Sequence, residues 1–142
     1  MAVILGPTPG KVRVMERTAL LLAGVLGFLG VALGAFGAHG LKKRFAAAPD
    51  GEARLAWWST GAQYHLIHAV ALGLAAVRPD PMHHGSAVAP WLFAAGIALF
   101  SGSLYAMTLT GRRALGAITP LGGLLLLAGW AAIAYNALLI TD

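Results

Sequence analysis

The sequence has 142 residues, of which only 11% are charged, whereas a soluble domain carries about 25% charged residues. It contains no cysteine, which excludes disulfide bonds, thiolate metal sites and thiol nucleophiles. The net charge of +5 does not indicate nucleic-acid binding, because the basic residues cluster at the ends of apolar segments, where they determine membrane topology. The composition therefore argues against a soluble domain and favours an all-α integral membrane protein with no nucleic-acid partner.

The charged residues divide the chain into four charge-free stretches, each long enough to cross a bilayer. A hydrocarbon core of about 30 Å needs about 20 apolar helical residues. None of the stretches shows the strict alternation of a membrane β-strand. We therefore predict a four-helix bundle in the membrane. Its predicted spans cover residues 17–41, 55–77, 87–110 and 113–140.

The segment before the first span differs in character from the rest of the chain. Pro7, Pro9 and Gly10 disfavour a helix there, so residues 1–14 are predicted to be an extension of little functional weight. Residues 15–142 would then form the four-helix domain.

Small residues repeat on one arc of the first span, as they do where helices pack closely in lipid. The predicted packing positions are Gly27, Gly30, Gly34 and Gly37 on the first span, Gly102 on the third, and Gly122 and Gly123 on the fourth. The pattern fits contacts within one subunit as well as contacts between copies. A homo-oligomer and a larger membrane complex therefore both stay open as assemblies.

The loops between the spans predict the orientation in the membrane. Four spans place both termini on one side, with loops 42–54 and 111–113 on the other and the proline-bounded connector 78–86 beside the termini. Six basic residues flank the two loops, and four lie on the side of the termini: Lys42, Lys43, Arg44, Arg54, Arg112 and Arg113 against Lys11, Arg13, Arg17 and Arg78. The positive-inside rule favours cytoplasmic loops and external termini.

The second span carries most of the polar residues that lie inside the membrane. Such residues cost free energy in lipid, so each needs a partner or a role. Thr60, Tyr64 and His68 recur every four residues and share one face. Depth along each helix, at about 1.5 Å per residue, gathers them with polar residues of other spans in one half of the bundle. The predicted cluster is His39, Thr60, Tyr64, His65, His68, Ser101, Tyr105 and Thr119. Pro120 lacks a backbone N–H, which predicts a kink in the fourth span.

Four interpretations of this cluster fit the residue types. The first is hydrogen bonding between helices, and the second is a pocket for a small ligand or a lipid headgroup. The third is a metal or haem site on His39, His65 and His68, and the fourth is proton transfer through His and Tyr. No span contains a carboxylate, which weakens the last two interpretations. The sequence assigns no catalytic residue, no metal ligand set and no cofactor.

Four motifs stand in order along the predicted spans. They are Gly34–Lys42, Trp58–Gly61 with Tyr64, His65 and His68, Leu99–Tyr105, and Leu115–Gly123 with Ala128–Trp130. Together they resemble the family of small membrane proteins known as domain of unknown function 423, over residues 15–140. The resemblance implies a four-span protein of the bacterial inner membrane and no known activity. Its motifs include most of the predicted polar cluster.

The expected function follows from the predicted location in the membrane, because no residue pattern in the sequence indicates a particular reaction. We expect a non-enzymatic structural or accessory component of the membrane, surrounded by membrane lipids. One alternative is a binding protein for a lipid or a small apolar ligand at the His, Tyr and Ser cluster. The other alternative is a redox component with a His-ligated metal or haem.

Overall fold

The computed structural model describes the backbone of residues 9–77 and 88–138, and side chains from residue 14 onward within those ranges. Every regular element in these ranges is helical. The elements are α1 (Pro9–Phe36), a π-helical turn (Gly37–Leu41), α2 (Lys42–Phe45), α3 (Gly51–Val77), α4 (Ala89–Thr110), a 3-10 turn (Arg113–Ala117) and α5 (Thr119–Leu138). The predicted connector 78–86 and the predicted end of the fourth span at 139–140 lie outside the described residues.

The first helix begins at Pro9, within the segment predicted as an extension. Proline fits the first turn of a helix because the N–H group that it lacks has no partner inside the helix there. Pro9 therefore begins α1 instead of preventing it, and the expectation that Pro9 and Gly10 disfavour a helix was wrong. Residues 1–8 lie outside the described part of the chain.

The helix of the first span also continues past its predicted end. It passes through the π-helical turn into α2, so that the connection to α3 is reduced to residues 46–50. Leu41 and Phe45 are buried there against Trp58 of α3. Much of the predicted loop 42–54 is therefore helical, because apolar residues spaced four apart bury against the next helix.

A short reversal joins α4 to α5. Gly111 ends α4 in the left-handed conformation, with φ at 73°, and its N–H donates to the carbonyl oxygen of Met107 at 2.9 Å. This conformation costs glycine less than any residue with a Cβ atom. Pro120 lies in the first turn of α5, where no backbone hydrogen bond is lost. The predicted kink at Pro120 was therefore wrong, since α5 begins at Thr119 and no helix passes through the proline.

The four long helices pack in the order α1, α3, α4, α5. The helix α3 lies between α1 and α4, and α4 packs against α5, whereas α1 contacts α4 far less. One core joins all four long helices around Leu72, Phe93 and Leu126, and a second joins the α1–α2 end to α3 around Trp58. The helix with most polar residues therefore occupies an inner position.

The outer surface of the described helices is apolar. Large side chains that point outward include Leu21, Val25, Phe28, Val70, Leu74, Leu124 and Leu127. Three described segments are long and apolar enough to cross a membrane, namely Val14–Phe45, Ala89–Thr110 and Arg113–Leu138. The 27 residues of α3 match them in length, but its polar side chains make it less apolar. Apolar outer faces around polar internal contacts are typical of an integral membrane protein.

Candidate functional site

His68 is bonded through both of its ring nitrogens. Its Nδ1 atom lies 2.7 Å from the carbonyl oxygen of Tyr64, and its Nε2 atom lies 3.2 Å from the indole Nε1 of Trp130 on α5. A carbonyl oxygen only accepts and an indole N–H only donates, so a neutral ring with its proton on Nδ1 satisfies both partners. His68 thus joins α3 to α5, although the two helices are not neighbours in the row.

His65 pairs with Tyr105 of α4. The hydroxyl of Tyr105 lies 3.3 Å from Nδ1 of His65, and its ring packs on Trp58 with centroids 4.5 Å apart. Gly61 allows this approach, since a Cβ atom there would lie 3.1 Å from the Tyr105 ring. The buried Nε2 atom of His65 has no hydrogen-bond partner within the described residues. The pair therefore ties α3 to α4 through one polar and one aromatic contact.

Two hydroxyl groups join α4 to the start of α5. The Oγ atom of Ser103 donates to the carbonyl oxygen of Phe100 at 2.9 Å and lies 2.8 Å from Oγ1 of Thr119. Because Ser103 has a single hydroxyl proton, Thr119 donates in the second bond. Ser101 is 1% exposed, and its Oγ atom has no hydrogen-bond partner among the described atoms.

Two members of the predicted cluster lie apart from these contacts. His39 is exposed on the π-helical turn, and Thr60 is exposed and donates back to the carbonyl oxygen of Ala56 at 3.0 Å. The eight predicted residues thus lie in separate groups and not in one connected cluster. Within the described residues, no three His, Asp or Glu side chains are placed to hold a metal ion. The metal interpretation therefore receives no support from the geometry.

Trp58 makes a contact that the sequence analysis did not anticipate. Its indole Nε1 donates to the carbonyl oxygen of Leu33 at 2.8 Å, and its ring occupies the space beside Gly37, where a Cβ atom would collide with it. The indole thereby takes up a backbone acceptor of α1 just before the π-helical turn. Such turns are rare and occur often at functional sites.

A second unanticipated contact fastens the end of α4. The guanidinium of Arg54 donates to the Asp50 carboxylate at 2.8 Å and to the carbonyl oxygen of Thr108 at 3.1 Å. The Thr108 side chain is fully buried, and its hydroxyl lies 3.1 Å from the carbonyl oxygen of Arg54. The hydrogen bond and salt bridge from Arg54 hold the pKa of Asp50 below its usual value, against a smaller effect of burial.

The predicted packing glycines divide into two groups. A Cβ atom at Gly30 or Gly37 would meet α3, and one at Gly122 or Gly123 would meet Phe100 of α4. At the remaining three, nothing lies within 4 Å: Gly27, Gly34 and Gly102. Close contacts with a neighbouring helix also occur at glycines outside the predicted set, among them Gly61, Gly96 and Gly129.

An open groove of about 660 Å³ runs between α1 and α3. Glycine and alanine line its α1 side, Trp58 and Leu66 line its α3 side, and Lys42 lies at one end. Ser59 and Gln63 add polar atoms to its rim. The full lining is Gly30, Val31, Gly34, Gly37, Ala38, Lys42, Leu55, Trp58, Ser59, Ala62, Gln63 and Leu66.

An apolar outer surface, helices of membrane-spanning length and polar contacts between helices define an all-helical integral membrane protein. The sequence profile described as "Protein of unknown function (DUF423)" matches residues 33–123. The chain belongs to this family, which confirms the resemblance in its motifs. The family description names no activity, cofactor or substrate.

Relatives from several bacteria align along most of the chain. The UPF0382 membrane protein YwdK of Bacillus subtilis is 43% identical over 116 residues, which are 80% of this chain and 90% of the relative. The UPF0382 inner membrane protein YgdD of Escherichia coli K12 is 41% identical over 127 residues, or 87% of this chain and 91% of the relative. A UPF0382 membrane protein of Haemophilus influenzae is 40% identical over 125 residues, which are 86% of this chain and 94% of the relative. No solved structure matches the chain.

Proposed function

We propose that the chain is a non-enzymatic structural or accessory component of the bacterial inner membrane. The observation that carries this proposal is the use of polar side chains as ties between helices. His68, His65 and Ser103 each bond to a residue of another helix segment. A catalytic group needs free access to a substrate, whereas these three side chains are buried and each bonds to the protein itself.

The pair of Tyr105 and His65 allows a direct test of this proposal. Replacement of Tyr105 with Phe removes one hydroxyl and keeps the ring that packs on Trp58. The purified variant should unfold at a lower temperature than the wild type, by an amount that reflects roughly 0.6–2 kcal/mol for one interhelical hydrogen bond. Tyr135→Phe is the matched control, because Tyr135 is exposed and makes no described hydrogen bond.

The same samples distinguish a tie between helices from a binding site. Native mass spectrometry, metal analysis and the visible absorption spectrum of the wild type should show no metal, no haem and no stoichiometric compound whose retention depends on the Tyr105 hydroxyl. A bound compound that is present in the wild type and in Tyr135→Phe, but missing from Tyr105→Phe, would refute the proposal.

We propose further that the α2 end and the link after α4 face the cytoplasm. The charge count supports this orientation, because Lys42, Lys43 and Arg44 lie together with Arg112 and Arg113 at one end of the helices. Since the chain has no cysteine, single cysteines provide unambiguous labels. Lys43→Cys and Arg112→Cys should react with a membrane-impermeant maleimide in inverted vesicles and stay unlabelled in intact spheroplasts. Labelling in spheroplasts would reverse the orientation.

A further inference from the structure

We propose that the groove between α1 and α3 binds one anionic phospholipid, with its headgroup at Lys42 and an acyl chain along Gly34 and Gly30. This site lies outside the polar contacts discussed above, so the lipid proposal can be tested independently of the proposed function. Its volume of about 660 Å³ lies within the range of ordinary ligand sites.

The length of the groove matches one leaflet of a bilayer. Gly30 of α1 and Lys42, at the start of α2, mark its two ends, and the 12 residue steps between them rise about 18 Å. Half of a hydrocarbon core of about 30 Å is about 15 Å. The Lys42 end lies at the interface, since Arg54 and Arg112 border the same end of the helices. A lipid with its headgroup at Lys42 would therefore end its chain near Gly30.

The walls of the groove suit a hydrocarbon chain. Gly34 and Ala38 present almost bare backbone, and a Cβ atom at Gly34 would meet nothing within 4 Å. Leu66 and the Trp58 ring supply apolar surface on the α3 side. The side chain of Ser59 lies on the α3 side of the groove towards the Lys42 end, where the ester groups of a lipid would lie, and Gln63 lies one helical turn deeper.

The charges at the Lys42 end of the groove favour an anionic ligand. Lys42, Lys43 and Arg44 are exposed and make no salt bridge within the described residues, where Asp50 is already bonded to Arg54. Glu52 is the other acid of that end. A second copy of the chain in a two-fold dimer would bring another set of the same cations to this end, which opposes binding. An anionic headgroup brings the complementary charge.

Two variants and their controls test the site. Gly34→Leu fills the groove, and Gly24→Leu adds the same side chain to α1 at another position where nothing lies within 4 Å. Lys42→Gln removes the charge of the groove, and Lys43→Gln removes a neighbouring charge outside its lining. Delipidated full-length protein in nonionic detergent is titrated with dioleoyl-phosphatidylglycerol or dioleoyl-phosphatidylcholine, and native mass spectrometry counts the bound lipids.

The wild type should bind a first phosphatidylglycerol more tightly than phosphatidylcholine. Gly34→Leu should weaken that first binding by about tenfold or more, while Gly24→Leu matches the wild type. Lys42→Gln should weaken phosphatidylglycerol binding by about fivefold and leave phosphatidylcholine unchanged, with Lys43→Gln close to the wild type.

Equal binding by the two leucine variants would overturn the proposal, because it would assign the lipid to nonspecific surface binding. A wild-type dimer that Gly34→Leu converts to a monomer in light scattering would overturn it in favour of a second copy. If Gly34→Leu fails to fold, the two lysine variants decide, and equal phosphatidylglycerol affinities in that pair would refute the headgroup contact.

Discussion

His68 is held between two groups that fix its chemical form. The carbonyl oxygen of Tyr64 requires a proton on Nδ1, and the indole of Trp130 requires a lone pair on Nε2. A second proton on the ring would set two donors against each other at Trp130. The side chain therefore serves as a neutral connector between α3 and α5, and its place on one face with Tyr64 was predictable from the four-residue spacing. The contact of His68 with Trp130 was not predictable, since residue spacing within one helix gives no information about a different helix.

A double-mutant cycle measures this connection. His68→Phe and Trp130→Phe should each lower the free energy of unfolding, and the double variant should lose less than their sum. The expected coupling energy is about 0.6–1.7 kcal/mol, the range of hydrogen bonds between membrane helices. Unfolding in detergent micelles provides the measurement. The cycle of His68→Phe with Trp91→Phe should show no coupling, and equal coupling in both cycles would contradict the contact.

The salt bridge of Asp50 and Arg54 predicts a pH dependence of stability. The hydrogen bond from Arg54 lowers the pKa of Asp50 in the folded protein below the usual 3.8. A lowered pKa stabilises the folded state above the unfolded pKa, and this stabilisation is lost as the pH falls through the folded value. The wild type should therefore melt at a higher temperature than Asp50→Asn at pH 7, and the difference should shrink below pH 3.8. Glu52→Gln should show no such change, and a difference that grows in acid would contradict the assignment.

Between helices, α4 and α5 approach each other closely at Gly122, where the neighbour is backbone. The backbone of Phe100 occupies the space where a Cβ atom of Gly122 would lie. Backbone cannot rotate away as a side chain can, so any larger residue must separate the two helices. The helix α5 also begins close to this contact, which leaves little length over which the separation could be absorbed.

Gly122→Ala should destabilise the protein by about 1–3 kcal/mol, the usual cost of overpacking. Gly102→Ala is the matched control, because nothing lies within 4 Å of its Cβ position. That control should be neutral or stabilising by up to about 1 kcal/mol, through the higher helix propensity of alanine. Thermal or denaturant unfolding of both variants gives the comparison. Equal losses in the two variants would show that the close approach at Gly122 does not limit packing.

The helices themselves were predictable from the sequence, whereas their contacts were only partly so. Charge-free length and apolar composition locate α1, α3, α4 and α5, because burial of backbone hydrogen bonds forces helices in lipid. The glycine pattern includes Gly37 and Gly34 alike, yet one meets Trp58 and the other opens on a groove. A stripe of small residues indicates that another group can approach the helix closely, but it does not indicate which helix, side chain or lipid does so. The π-helical turn also escaped prediction, and the indole that bonds to Leu33 just before it comes from a different helix.

Across the whole molecule, the least apolar of the long helices is enclosed by more apolar ones. The helix α3 lies between α1 and α4, and its buried polar residues bond to α4 and α5. Neighbouring helices can thus supply the partners that lipid lacks. Polar side chains between the helices and an apolar surface around them are typical of a helical integral membrane protein.

Cysteine labelling tests whether α3 crosses the membrane. Glu52 and Val77 lie at its two ends, and both side chains are exposed. Glu52→Cys and Val77→Cys should react with an impermeant maleimide from opposite sides of sealed vesicles. Detergent-solubilised protein, in which both cysteines must react, is the control. Labelling of both from one side would exclude a spanning α3.

The length of α1 couples the protein to the thickness of its membrane. The charge-free residues 18–41, which comprise most of α1 and the π-helical turn, rise about 36 Å, which exceeds a hydrocarbon core of about 30 Å. Hydrophobic mismatch of this size is relieved when a helix leans by about 30° from the bilayer normal. A thinner bilayer would increase the lean of α1 and a thicker one would bring it upright. Membranes of different lipid chain length should therefore set the angle of α1 directly.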